Sequence, residues 1–297
     1  MKSLFLISLV VFALGSTGTI TSPAQTTSDN PESEISQPPL ASPSPSISAP
    51  LLQAAPLVQA SSKLLGQQVY QIESKIKLTT NEIEEFATAN AHLVTTIAAP
   101  DKVKAELTFL TSERDLERQY QIIANGTQVW IYDSQDNKYS VNEYPQFITS
   151  SEGITVGTLA NFYLKTLHTI NSNRIASRAI SKLPPDRLLR YFQTYANLDL
   201  QNMTIRNEQL GNQNYTIYDL NAVDRSYQTT IYVQPQSSNI EQVNLKGQKD
   251  DLAITITEQI ISQTPVEPMP LETFNFIPPD EAEEVESQIE IYPFAKP

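Results

Sequence analysis

Few residues in this chain have types and spacings suited to chemistry. There are two histidines, His92 and His168, and neither stands in an H-E-x-x-H or G-x-S-x-G arrangement that would make it a base or a ligand. Ser74-Lys75-Ile76-Lys77 matches S-x-x-K in letters. That acyl-transfer motif needs a helix to bring Ser and Lys one turn apart, and here it lies on an alternating, strand-like stretch. Asp133 and Asp136 read as turn formers, because the Gly and twelfth-position Glu of a calcium loop are absent. The acidic run Asp280, Glu281, Glu283, Glu284, Glu286 reads as a solvated terminal face. The expectation is a non-enzymatic protein with no catalytic residue, no metal site and no cofactor.

Composition supports that exclusion. The 297 residues carry 33 acidic and 20 basic side chains, a net charge of −13, which argues against nucleic acid as a partner. Zero cysteines remove disulfides, thiol nucleophiles, Zn–thiolate sites and any lipid anchor on sulfur. Eight glycines include neither G-x-G-x-x-G nor a Walker A run.

What remains is a question of which elements the apolar residues build. Met1-Lys2-Ser3 followed by the uncharged Leu4–Leu14 has the length of a secretory signal peptide, too short to span a bilayer of about 30 Å. Residues 1–24 are therefore expected to be a signal peptide, and the protein secreted and periplasmic, with no lipobox cysteine and no transmembrane segment in the mature chain. Residues 25–50 are a Pro/Ser-rich stretch with the composition of a disordered linker. Residues 51–288 have the size of one domain, and 289–297 form a C-terminal tail.

Leu51 to Leu65 shows helical spacing, with Pro50 and Pro56 in or near its first turns. Period-two patterns follow at Tyr70–Leu78 and Val103–Phe109, with further strands at Ala91–Ala98, Tyr120–Ala124, Val129–Asp133 and Lys138–Val141, jointed by Asn125-Gly126 and Asp136-Asn137. The middle is helical: Thr155 to Ile170, a short helix at Ile175–Ile180, and a third opening at Pro184-Pro185-Asp186 and running through Phe192. Strands return at Thr204–Gln209, Tyr215–Leu220, Thr229–Val233, Glu241–Leu245 and Leu252–Ile261. One large antiparallel sheet interrupted once by helices buries its apolar face by curling, with the helices closing over it. The expected fold is α+β: a curved antiparallel half-barrel of about 11 strands with an N-terminal helix and a helical lid insertion.

Three segments carry a resemblance. Pro100-Asp101-Lys102-Val103, Asn125-Gly126-Thr127-Gln128-Val129-Trp130-Ile131-Tyr132-Asp133 and Phe274-Asn275-Phe276-Ile277-Pro278-Pro279-Asp280-Glu281-Ala282 occur in the order of an R-P-x-K-like step, a G-k-x-l-W-x-Y-D-P-like hairpin and a closing F-x-F-x-P-P-x-x-A. In these, the chain resembles the LolA-like superfamily of envelope lipoprotein and lipid carriers, most of all its branch of periplasmic proteins of unknown function. Ala99 stands where the family step commonly carries Arg, a residue implicated in closing the lid.

The strand faces predict one concave apolar surface made of Tyr70, Ile72, Ile76, Leu107, Phe109, Trp130, Tyr132, Ile231, Val233, Ile254 and Ile256, with Val129 and Ile131 turned the opposite way. Leu159, Tyr163 and Leu167 would form the lid above it. Periodicity alone favours an ordinary filled core. The resemblance implies a cavity that takes a hydrophobic ligand such as a lipid or lipoprotein acyl chain. The alternative is an envelope interaction or sensor module whose core is filled by its own side chains and whose partner is a protein.

Overall fold

The computed structural model describes residues 54–80, 88–110, 118–150, 152–172, 184, 187–188, 198–223, 227–249, 252–289 and 291. The expected signal peptide, the linker and the helix at Ile175–Ile180 lie outside these residues, as does most of the helix expected from Pro184 to Phe192.

Helix α1 (Ala55–Leu65) starts with Pro56 in its first turn and ends at Gly66, whose N–H bonds Ser62 O at 2.9 Å. Its Leu57, Val58, Ala60, Leu64 and Leu65 are buried, one stripe of a 3.6-residue period. Six strands follow: β1 (Val69–Thr80), β2 (Thr88–Ala98), β3 (Lys102–Leu110), β4 (Arg118–Ala124), β5 (Gln128–Asp133) and β6 (Lys138–Glu143). Then come α2 (Tyr144–Thr149), a 3-10 turn (Glu152–Val156) and α3 (Thr158–Ser172). Strands β7 (Leu198–Leu210), β8 (Gln213–Ala222), β9 (Tyr227–Gln234), β10 (Asn239–Lys249) and β11 (Leu252–Pro265) complete the main sheet. A second 3-10 turn (Leu271–Phe274) and a two-residue strand, β12 (Glu283–Glu284), end the described elements.

The spatial order is β12-β6-β5-β4-β3-β2-β1-β11-β10-β9-β8-β7. Each half is an antiparallel meander, and the two meanders join at β1–β11 in the middle. Only β12 runs parallel to its neighbour, β6. The edge strands β12 and β7 do not pair with each other, so the curved sheet stays open: an α+β half-barrel with the eleven expected strands and a short twelfth.

Turn chemistry sets the β4–β5 joint. Asn125 Oδ1 accepts the N–H groups of Thr127 (2.9 Å) and Gln128 (3.0 Å), and Gly126 sits at φ +96° with no room for a Cβ, which would lie 2.6 Å from the Asp101 carboxylate. At the β5–β6 joint Asp133 Oδ1 accepts from Gln135 and Asp136 N–H, and Asp133 Oδ2 accepts from Arg118 at 2.6 Å, so Asp133 is a buried turn former.

Helices α1 and α3 pack on one face of the sheet, here called the inner face. The main core lies between them and that face. Packing continues past residue 288, the expected end of the domain: Ile289 N–H donates to Ser140 Oγ at 3.2 Å and Ile291 is buried.

Candidate functional site

The strand registers decide which side chains meet. Tyr70, Ile72 and Ile76 on β1, Leu107 and Phe109 on β3, Ile231 and Val233 on β9, and Ile254 and Ile256 on β11 all share the inner face. Trp130 and Tyr132 do not. Pairing of Ile122 with Ile131 and of Ala124 with Val129 turns Val129 and Ile131 inward, where they are 0% and 1% exposed. Trp130 and Tyr132 therefore stand on the outer face, the reverse of the sequence expectation. There Phe276 covers them, with ring centroids 6.4 Å from Trp130, 5.9 Å from Tyr132 and 5.3 Å from Tyr139. The physical reason is that β5 is apolar on both faces, so alternation alone does not choose a side.

The inner face has two parts. Around Tyr70, Ile72, Leu107, Phe109 and Val233 it is filled: these are 5% exposed or less, and Leu159, Tyr163 and Leu167 of α3, the expected lid residues, pack in the same cluster at 0–3%. Thr95 Oγ1 donates to Val156 O at 2.8 Å and Tyr163 Oη to Gln67 O at 3.4 Å, which ties the helical layer to the sheet. Beyond it, cross-strand rows continue as Ile231–Val243–Glu258–Ile76–Ala91, then Thr229–Leu245–Ile256–Leu78–Ala89, then Tyr227–Gly247–Ile254–Thr80. Leu78, Leu245 and Ile256 form a smaller buried cluster there, edged by the half-buried Ile76, Ala89, Ile154, Tyr227 and Ile254. Among the described residues this end of the apolar face keeps these side chains partly exposed, and Gly247 contributes no side chain to its last row.

One residue in these rows escaped the sequence reading. Glu258 occupies the inner-face position between Ile256 and Ile260 and is 0% exposed. Its Oε2 accepts the N–H of Leu159, in the first turn of α3, at 2.9 Å. The available signal was a lone acid in the otherwise apolar alternation Leu252, Ile254, Ile256, Ile260.

The polar groups outside this face make structural pairs. His92 Nε2 lies 3.0 Å from Glu73 Oε1, and Ser262 Oγ donates to the same carboxylate at 3.4 Å. The serine thus touches the acid rather than the imidazole, and His92 and Glu73 are about two-fifths exposed. A nucleophile's proton has no path to a base in that order. His168 packs edge-on against Tyr144 at 5.8 Å. Ser74 is buried on the inner face while Lys77 is exposed on the other side of β1, which separates the S-x-x-K pair. The acids of 280–286 are exposed, with Glu284 accepting from Tyr139 Oη at 3.0 Å. Among the described residues no three His, Asp or Glu side chains converge as a metal site, and no helix is long and apolar enough to cross a membrane. A polar hollow of about 380 Å³ lies at β7–β8, lined by Asp199, Asn202, Asn221, Ala222 and Val223.

No family model matches the chain, and no curated protein matches it. Solved structures do. An uncharacterized conserved protein from Thermus thermophilus is 9% identical with a TM-score of 0.40, covering 79% of this chain and 99% of its own. LprF from Mycobacterium bovis is 11% identical with a TM-score of 0.37 over 74% of this chain and 98% of its own. A LolA superfamily protein from Nitrosomonas europaea is 10% identical with a TM-score of 0.31 over 75% and 97%. Scores and identities this low carry no inference about ligand, partner or activity.

Proposed function

We propose that this is an exported, non-catalytic carrier that holds a hydrophobic ligand, such as the acyl chain of a lipid or lipoprotein, against the inner face of its half-barrel. The observation that carries the reading is the partly covered apolar end of that face, where Ile76, Ala89, Ile154, Tyr227 and Ile254 are half-buried around Leu78, Leu245 and Ile256. Half-buried aliphatic rows of this kind are an energetic invitation to apolar material. Burying a C16 tail at about 0.8 kcal/mol per CH₂ offers on the order of 10 kcal/mol before ordering costs, so binding requires no catalytic group. Entry has α3 moving as a lid, and the acidic surface favours handover to a protein over direct contact with an anionic bilayer.

A second reading, an envelope interaction or sensor module with a filled core, is favoured by the close packing of Leu159, Tyr163 and Leu167 on the other half of the same face. Native mass spectrometry of the protein purified from a periplasm, followed by solvent extraction, separates the two. The carrier reading expects a co-purifying species of lipid mass that is lost in a folded Ile76→Asn/Ile254→Asn variant. A clean apo mass, unchanged after incubation with fatty acids, phospholipids and lipopeptides, overturns it and leaves the interaction module.

A further inference from the structure

Glu258 has no part in a purely apolar site, and its surroundings are built around it. The carboxyl is fully buried in the middle of the sheet, and the start of α3 comes down directly onto it. Gly157, the residue before the helix, has φ +100°. A Cβ there would stand 2.8 Å from Glu258 Oε1 and 3.0 Å from Leu93 Cδ2, so the approach is possible only for glycine. Oε2 takes the helix N–H of Leu159, whereas Oε1 has no hydrogen-bond partner. The hydroxyls of Ser74 and Thr158 stand beside the carboxyl and bond nothing else. A remote carboxyl has thus become the cap of a helix that covers the inner face, with the Ser74 and Thr158 hydroxyls beside it.

The other groups facing it are Ile256 and Ile260 on β11, Ser74 and Ile76 on β1, Val243 on β10, Leu93 on β2, and Gly157, Thr158 and Leu159 at the helix start. None of them ionises, so the charge in this pocket is set by the Glu258 proton alone. Burial pushes that carboxyl above the usual carboxylate range, while the Leu159 N–H and the Ser74 and Thr158 hydroxyls pull the other way without outweighing it.

We propose that Glu258 is a proton-operated latch: the start of α3 closes over the inner face on the neutral carboxyl and is released when the carboxyl ionises. The purpose assigned to the latch, gating ligand entry, rests on the carrier reading; its geometry does not. The sign follows from linkage. In the open state Glu258 meets water and returns towards an ordinary pKa of about 4.3. Closure is therefore fully favoured below that value. It weakens by up to about tenfold per pH unit as the pH rises towards the closed-state pKa, and levels off above it. Neutral and alkaline conditions loosen the lid, and mild acid fastens it.

The test is amide hydrogen exchange of the full secreted chain from pH 5 to pH 8, corrected for the intrinsic exchange rate and read at Leu159–Phe162, in the wild type and in Glu258→Gln. Binding of N-phenyl-1-naphthylamine, an apolar probe that stays uncharged over this range, is followed in parallel. The latch expects wild-type protection at these amides to fall about tenfold or more across the range while Glu258→Gln stays flat within about twofold. It also expects probe association to speed up with pH in the wild type alone. Flat wild-type protection, or the same profile in both proteins, overturns the latch. If Glu258→Gln does not fold, the Glu258 side-chain carboxyl is titrated directly by ¹³C NMR in the wild type. A midpoint above the ordinary carboxylate range supports the latch, and one within or below it overturns it. Absence of probe binding at every pH counts against the carrier reading, and the exchange profile still decides the latch.

Discussion

Two adjacent residues on one strand provide a direct test of how the sheet is faced. Ile131→Asp and Trp130→Asp place the same poor strand former at neighbouring positions of β5, so the loss of strand propensity is shared and cancels. At Ile131, 1% exposed on the inner face, the change forfeits about 1.5–3 kcal/mol of burial. It also strands a short carboxylate among apolar side chains, a penalty of several kcal/mol more. The sum exceeds about 5 kcal/mol, comparable to the whole stability of an ordinary domain at about 5–15 kcal/mol. At Trp130, half-buried on the outer face, the change loses about 1.5 kcal/mol of burial and about 0.5–1.5 kcal/mol from the stack with Phe276, and the new carboxylate reaches water. Trp130→Asp should therefore fold with a stability lowered by about 2–3 kcal/mol, while Ile131→Asp should be largely unfolded. Urea unfolding followed by far-UV circular dichroism is the assay, because Trp130 is the sole tryptophan and its fluorescence vanishes in one variant. The reverse ranking would refute the register and return Trp130 to the inner face.

Other outcomes follow from the same contacts. Phe276→Ala should uncover Trp130, shifting its emission to the red and lowering stability by about 1–3 kcal/mol; an unshifted spectrum would place the C-terminal segment elsewhere. Arg118→Ala leaves the 3%-exposed Asp133 carboxylate without its 2.6 Å partner and should cost about 3–5 kcal/mol in urea titrations, whereas a loss below about 1 kcal/mol would show the pair to be solvated. Gly126→Ala meets both a positive φ and the Asp101 carboxylate at 2.6 Å and should lower the thermal midpoint by several degrees, with Asp101→Ala in the same chain restoring part of it. Leu167→Ala, at 0% exposure in α3, should cost about 2–5 kcal/mol, and a near-neutral result would mean the helix does not fill the core.

Much of the architecture is legible in the residue order because its causes are local. Period-two alternation marks β1, β3 and β11, since one face is apolar and the other wet. Asn125-Gly126 marks a tight turn through the αL preference of Gly and the carboxamide of Asn. A helix opens at Pro56 because the missing N–H has no partner to lose there. The apolar positions named from the sequence are on the inner face wherever their strand has one polar side. They fail at Val-Trp-Ile-Tyr, where both sides are apolar and the pattern carries no phase.

What the sequence alone determined is thus the type of the eleven long strands and of α1 and α3, the spacing between them, and the lack of any cysteine for thiol chemistry. Tertiary structure decided the rest. Pairing of β1 with β11 sets the first and last long strands side by side, although nearly two hundred residues separate Tyr70 from Pro265. That junction brings Ser74 and Ile76 next to Glu258. The choice of face for Trp130 came from the β4 register and from Phe276 arriving from the far end of the chain. Glu258 was visible only as a break in an alternation. Its use as the cap of α3 depended on a helix 99 residues away presenting a free N–H at that spot, and contacts between remote segments leave no periodicity in the local sequence.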